Sequence, residues 1–356
     1  MNTIYLHPMV ARLFATLNTN VTTQSGSGAS LTAEMKTFYS NNLIDLAEPE
    51  LVHDQFGQKH PIPKNGGKTI EFRKYSSLPK ATTALTEGVT PNGQSLNVTT
   101  LTATVSQYGG YVTLSDVLLL AAIDNNLMQA SKLLASQAGR TLDTITREVL
   151  NGGTNVYYCA SGVTDKANLV GGSATASDNN TLTVDDIRRA VRKLKTMNTP
   201  KINGGYVAII HPDVSYDLMS DPEWQRPHEY VDTDNIYAGE IGRIAGCRFV
   251  ETTEAKVWKK AAKDKSSGTA EAGDGSTKGW DVYSTLVLGA DAYGITEITG
   301  GGLQMIIKQL GSAGTEDPLD QRATAGWKAI KVAERLVEEY MIRVMSVSSF
   351  NDAASN

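Results

Sequence analysis

Residues 127–149 read LMQASKLLASQAGRTLDTITREV. Leu127, Ala130, Leu134, Ala138, Leu142, Ile145 and Val149 recur every three or four positions, which places them on one stripe of an α-helix. Lys132, Arg140, Asp143 and Arg147 fall mostly off that stripe. No proline interrupts the run. Gly152 and Gly153 follow it and are expected to end it, because glycine accepts the left-handed turn that closes a helix. One long amphipathic rod is therefore predicted. Before it lies a strand-rich stretch punctuated by Gly and Pro. After it lies a mixed region with a closing strand pair.

At 356 residues the chain can form one large or two ordinary domains, and 40% apolar residues suffice for a core. The formal charge of −5 and pI near 5.6 argue against binding nucleic acid through a basic face. Cys159 and Cys247 are far apart and form no CxxC, which excludes a cysteine-built zinc site and a disulfide framework and suits a reducing compartment. No run reaches the roughly 20 apolar residues of a membrane span. The opening MNTIYLHPMVARLFATLN lacks a basic leader, and His7, Pro8 and Arg12 break its apolar run. It reads as a cytosolic arm.

The first segment, 1–52, joins a Gly/Ser-rich stretch to a short helix over 31–47, which Pro49 stops. Such a segment needs a surface to lie on. The second segment, 53–113, holds a strand over 69–75, a polar middle with Gly88, Pro91 and Gly93, and a Val/Thr/Tyr-rich return in which Leu101, Ala103 and Val105 alternate with polar residues. It reads as a long hairpin with a broad hydrophilic tip, poorly stable alone. Ser115 or Asp116 caps a short helix ahead of the rod. Residues 152–181 read as a connecting loop region. A helix follows over 185–197, then a buried strand at 206–210, a helix after Pro212, a strand at 247–251, and a buried strand with its turn over 282–298. Residues 259–279 are charged, small and aperiodic, and read as an exposed loop. The last stretch reads as two strands meeting near Glu338 and Glu339, with a helix over 327–336 as the alternative, because its apolar positions fit neither period cleanly.

Few motifs suggest chemistry. Gly67-Lys68-Thr69 resembles the end of a phosphate loop, but Ile62 stands where the first glycine belongs and a strand follows. His211-Pro212-Asp213 fits a helix start better than an acid/base pair. His7, His53, His60 and His228 have no metal-ligand spacing. The basic run 188–195 lacks interleaved aromatics and is flanked by Asp185 and Asp186, so a solvated or subunit-facing helix face is expected. The residues assemble no catalytic, cofactor or metal site. An arm, a projecting hairpin, a long helix and a mixed core suit a subunit completed by its neighbours.

Five stretches carry a resemblance. These are residues 32–116 (TAEMKTFYSNN…YGGYVTLSD), 207–224 (VAIIHPDVSYDLMSDPEW), 239–255 (GEIGRIAGCRFVETTEA), 286–298 (LVLGADAYGITEI) and 317–336 (DPLDQRATAGWKAIKVAERL), the last followed by YMIRV. In this order they resemble the major capsid proteins of tailed bacteriophages, in the family named for the major capsid protein of the N-four podophage. The resemblance implies an α+β fold, that of the Hong Kong phage-type capsid. Carried over, 1–52 is an N-terminal arm, 53–113 the extended loop, 114–151 the spine helix, 182–295 an axial domain with an exposed insertion at 259–279, and 296–356 the strands and C-terminus of a peripheral domain.

The implied function is self-assembly as hexamers and pentamers into an icosahedral virion shell around double-stranded DNA, put together in the host bacterial cytoplasm. No enzyme activity and no cofactor are implied. Lys68, Glu71, Arg73, Lys74, Lys80 and Glu87 of the extended loop are the expected inter-subunit contacts. The partners are further copies of the chain, a separate scaffolding protein, a portal and decoration proteins. The alternatives are a cellular nanocompartment shell of the same fold, a nucleotide-binding enzyme using Gly67-Lys68-Thr69, and a phage tail-tube or adhesin subunit.

Overall fold

The computed structural model describes residues 19–20, 52–90, 92–121, 126–175, 178–228, 240–275, 277–312 and 316–352. The helix expected over 31–47, and all of the expected arm except 19–20 and 52, lie outside these residues.

Strands β1 (Thr19–Asn20), β2 (Gln58–Lys59), β3 (Thr69–Tyr75), β4 (Val98–Thr104) and β5 (Ser106–Ser115) come first. Helices α1 (Asp116–Ala121) and α2 (Asn126–Asn151) follow. β6 (Val156–Tyr158) and β7 (Val170–Gly171) lead to α3 (Val184–Thr196), β8 (Tyr206–Ile210), α4 (Pro212–Met219) and α5 (Pro222–His228). The last strands are β9 (Glu240–Ile244), β10 (Cys247–Glu251), β11 (Val257–Asp264), β12 (Trp280–Leu288), β13 (Tyr293–Thr296), β14 (Gln304–Lys308), β15 (Arg322–Arg335) and β16 (Met341–Ser346).

The chain divides into two compact units. One comprises residues 1–51, 106–142 and 300–330, and the other 52–105, 143–299 and 331–356. In the first, β1 lies parallel to β5, with Thr19 opposite Thr113, and β14 runs antiparallel to β15. The first half of α2 buries Leu127, Ala130, Leu134 and Ala138, as its spacing predicts. Trp327 donates its indole N–H to Gln137 Oε1 at 3.0 Å. Gly109 permits the close approach of β5 and β15, since a Cβ there would fall 2.6 Å from the Trp327 carbonyl oxygen.

The second unit is built on a sheet of order β6-β16-β12-β8-β10-β9, with β11 also on β12. β8 is parallel to β10 and antiparallel to β12. All five residues of β8 are buried. Tyr206, Ala208 and Ile210 join a core with Ile187, Val191 and Leu194 of α3, whereas Val207 and Ile209 join a second core with Leu150, Leu286 and Tyr293. Both faces are covered, which is why the strand reads as a continuous apolar run. α3 opens with a capping box. Thr183 accepts from Asp186 N–H, and the Asp186 carboxylate accepts from Thr183 N–H.

Two expectations are corrected. The final stretch does form strands, but β15 pairs with β13 and β14 while β16 pairs with β12 and β6, so they are not a pair with one another. A short 3-10 turn, Glu338–Tyr340, separates them. Residues 259–264, read as loop, belong to β11, with Ala262 buried. The strand carries a bulge at Lys260, which has a positive φ of 49°. The bulge breaks the alternation that would have announced a strand. Asp143 and Arg147, mostly off the apolar stripe of α2, are buried as well.

Candidate assembly surfaces

Seven residue pairs join β3 to β4 in an antiparallel ladder, from Thr69–Thr104 at the base to Tyr75–Val98 at the far end. The base is packed. Ala103 and Val105 are buried, Phe72 meets the edge of the His60 ring at 5.5 Å, and Val105 N–H donates to the Lys68 carbonyl at 2.9 Å. Beyond Phe72 the cover ends. Every described residue from 73 to 100 is exposed. These include Tyr75, Leu78, Leu85, Val89, Leu96 and Val98, with Leu85 at 76% exposure. The strand after Gly67-Lys68-Thr69 begins at Thr69, so no helix N-terminus stands there to hold a phosphate.

The six charged residues picked out by sequence divide into groups. Glu71 and Arg73 face one another at 3.4 Å, and Lys74 reaches Glu339 at 3.5 Å. Both pairs are exposed and contribute little to stability. Lys68 lies at the base of the hairpin. Lys80 and Glu87 lie in the exposed connection, without an ion pair among the described residues. The exposed apolar side chains of the same segment were missed. They follow no period, and apolar residues in a polar loop give no signal until their exposure is known. Tyr111, Val117, Leu120 and Leu133 form a second exposed apolar set in the first unit.

The segment leading into the hairpin is pinned from below. His53 donates its backbone N–H to Asp143 Oδ1 at 2.8 Å, and its ring Nδ1 lies 2.6 Å from Oδ2. Tyr293 donates its hydroxyl to the His53 carbonyl. Asp54 accepts from Thr146 at 2.6 Å and pairs with Lys331. Arg147 donates to the Glu254 carbonyl at 2.8 Å and holds Glu148 at 2.7 Å. Buried charges in α2 are thus each matched by a partner. His53 and Asp143 stand 90 residues apart, so no spacing could reveal the pair.

Elsewhere the local chemistry is structural. His211 caps α4, its Nδ1 accepting from Asp213 N–H at 3.2 Å, and Pro212 occupies the first turn. Cys159 and Cys247 are free and buried, and burial pushes both thiols up. Tyr157 donates to Asp186 at 2.8 Å and is pushed up to about 12 by burial and that carboxylate. On α3, Arg189 pairs with Asp185 at 2.7 Å, and Arg188 pairs with Glu223.

The sequence pattern of the phage capsid protein family matches residues 22–309. The chain belongs to that family. Its fold is the tailed-phage capsid fold, shared with several solved capsids. The capsid protein of Ralstonia phage GP4 superposes with a TM-score of 0.58 at 15% identity, over 85% of this chain and 89% of that one. The corresponding values for the cyanophage P-SCSP1u capsid are 0.56, 15%, 83% and 87%. For Helicobacter pylori bacteriophage KHP30 they are 0.53, 12%, 98% and 99%. No curated protein sequence matches the chain.

Proposed function

We propose that this capsid-family chain is a major capsid protein whose copies, as hexamers and pentamers, close an icosahedral shell around double-stranded DNA. The observation that carries this reading is the hairpin of β3 and β4. It keeps a full hydrogen-bond ladder, yet its outer part and the connection to it are uncovered and rich in apolar side chains. A two-stranded ribbon of that kind gains stability from a surface to lie on. A neighbouring copy supplies that surface.

In this reading residues 53–113 are the extended loop, with 1–52 the arm and 114–151 the spine. Residues 182–295 are the axial domain, and 296–356 complete the peripheral domain. Lys68, Glu71, Arg73, Lys74, Lys80 and Glu87 select the neighbour's register, while Tyr75, Leu78, Leu85 and Val89 provide buried area. Repetition around closed rings lets weak contacts suffice. A separate scaffolding protein sets the shell size, and a portal and decoration proteins complete the particle, which assembles in the host cytoplasm.

Deleting residues 79–93 tests the assignment. The expected result is a soluble, folded subunit that forms no closed shells by electron microscopy and sedimentation. Normal shells from the deletion variant would refute the role given to the hairpin.

A further inference from the structure

An open, polar pocket of about 350 Å³ lies in the second unit, beside the last turn of α2 and along β16. Its cations are Lys166, Lys256 and Arg343, and its acids are Glu148 and Asp165. Three of these five are already matched. Glu148 is held by Arg147 at 2.7 Å and by Lys256 at 2.9 Å. Asp165 caps a 3-10 turn, Lys166–Asn168, by accepting Ala167 N–H at 3.1 Å.

Lys166 and Arg343 remain. Among the described residues neither forms an ion pair with a carboxylate. Yet they are 177 positions apart in the chain (343 − 166) and converge on one ring. Lys166 Nζ lies 5.1 Å, and Arg343 Cζ 5.7 Å, from the centroid of Trp258. The Arg343 Nε is closed off from solvent and has no hydrogen-bond partner. Burial pushes the guanidinium below its ordinary value, with Tyr158 and Glu338 opposing the shift and Arg335 adding to it. Both side chains line the one pocket. A planar guanidinium beside an ammonium is also the donor set that oxyanions select, one giving a fork and the other a point charge.

We propose that this pocket is a binding site for a phosphate-class oxyanion, held by Arg343 and Lys166, with Trp258 fixing their positions. The anion is either free phosphate or a phosphate of a nucleic-acid backbone. Either one neutralises positive charge on the two side chains.

Calorimetric titration of the full chain with inorganic phosphate, at an ionic strength held constant with sodium chloride, tests this. Saturable single-site binding is expected. Arg343→Gln and Lys166→Met should each weaken it roughly tenfold or more, as loss of a charge-assisted contact does. Lys166 is only half-buried, so its variant decides the matter if the Arg343 variant fails to fold. A short DNA duplex that competes with phosphate identifies the backbone as the source. A duplex that does not compete identifies the free ion, and the site stands in both cases. No binding beyond the chloride control, or binding that survives both substitutions, would overturn the proposal.

Discussion

β3 and β8 are both short strands with full ladders, and they live in opposite environments. β8, YVAII, has every residue buried, between one core that includes α3 and another that includes Leu150. β3, TIEFRKY, has only Ile70 and Phe72 partly covered. Backbone pairing is common to the two, so pairing does not account for the difference. Each hydrogen bond exchanges for one to water and nets about 1 kcal/mol. Burial separates them. β8 is stabilised within its own chain, and β3 is left with apolar surface to offer.

The comparison breaks most readily in the core. Phe249, fully buried and edge-on to Trp224 at 5.2 Å, should cost about 3–5 kcal/mol on substitution to Ala, read from urea unfolding. A loss under 1 kcal/mol would mean that the sheet is not the stabilising centre.

Asp143→Ala comes next. It strands the His53 N–H and ring in a buried site, and about 2–3 kcal/mol should be lost. The hairpin strands should exchange amide protons faster in the same variant, because His53 anchors their approach.

A smaller effect is set by pH. Burial holds His211 below its ordinary value of 6.5, against the opposing pull of Asp213 and Glu251. The unfolded chain therefore takes up a proton near pH 6.5, and the folded chain only at lower pH. The stability contribution is complete above that value and declines as pH falls toward the folded value. Unfolding midpoints measured at about pH 7.5 and about pH 5.5 should differ less in His211→Asn, which keeps a capping side chain.

The smallest change in subunit stability is expected at the hairpin. Leu85→Asp with Val89→Asp should leave the unfolding free energy within about 0.5 kcal/mol, since both residues are exposed. Shell formation should nonetheless fail. Normal assembly of the double variant would show that the apolar side chains of the tip make no contact that matters.

Legibility followed the range of the interaction. The register of apolar residues drew the first half of α2, and Pro212 marked a helix start with its own local chemistry. The strand over 69–75 and the buried 206–210 were readable for the same reason. Illegible features each depended on something distant. β15 fits neither period because its residues meet different partners along its length, β14 for one part and β13 for another. β11 hides in a lysine-rich stretch because a bulge interrupts it. The charged residues of the hairpin were visible as candidates, whereas the apolar ones beside them became so only once they were found uncovered.

Sequence alone was enough for the long helix, the helices after Asp185 and Pro212, the buried strand and the hairpin, since local periodicity and capping depend on neighbours within a few residues. It also carried the family pattern over residues 22–309. The tertiary structure alone decided that β15 and β16 join different sheets, that His53 rests on Asp143, and that Lys166 and Arg343 share Trp258. Those groups lie tens to hundreds of residues apart. Only chain folding brings them within the few ångströms at which hydrogen bonds and charges act.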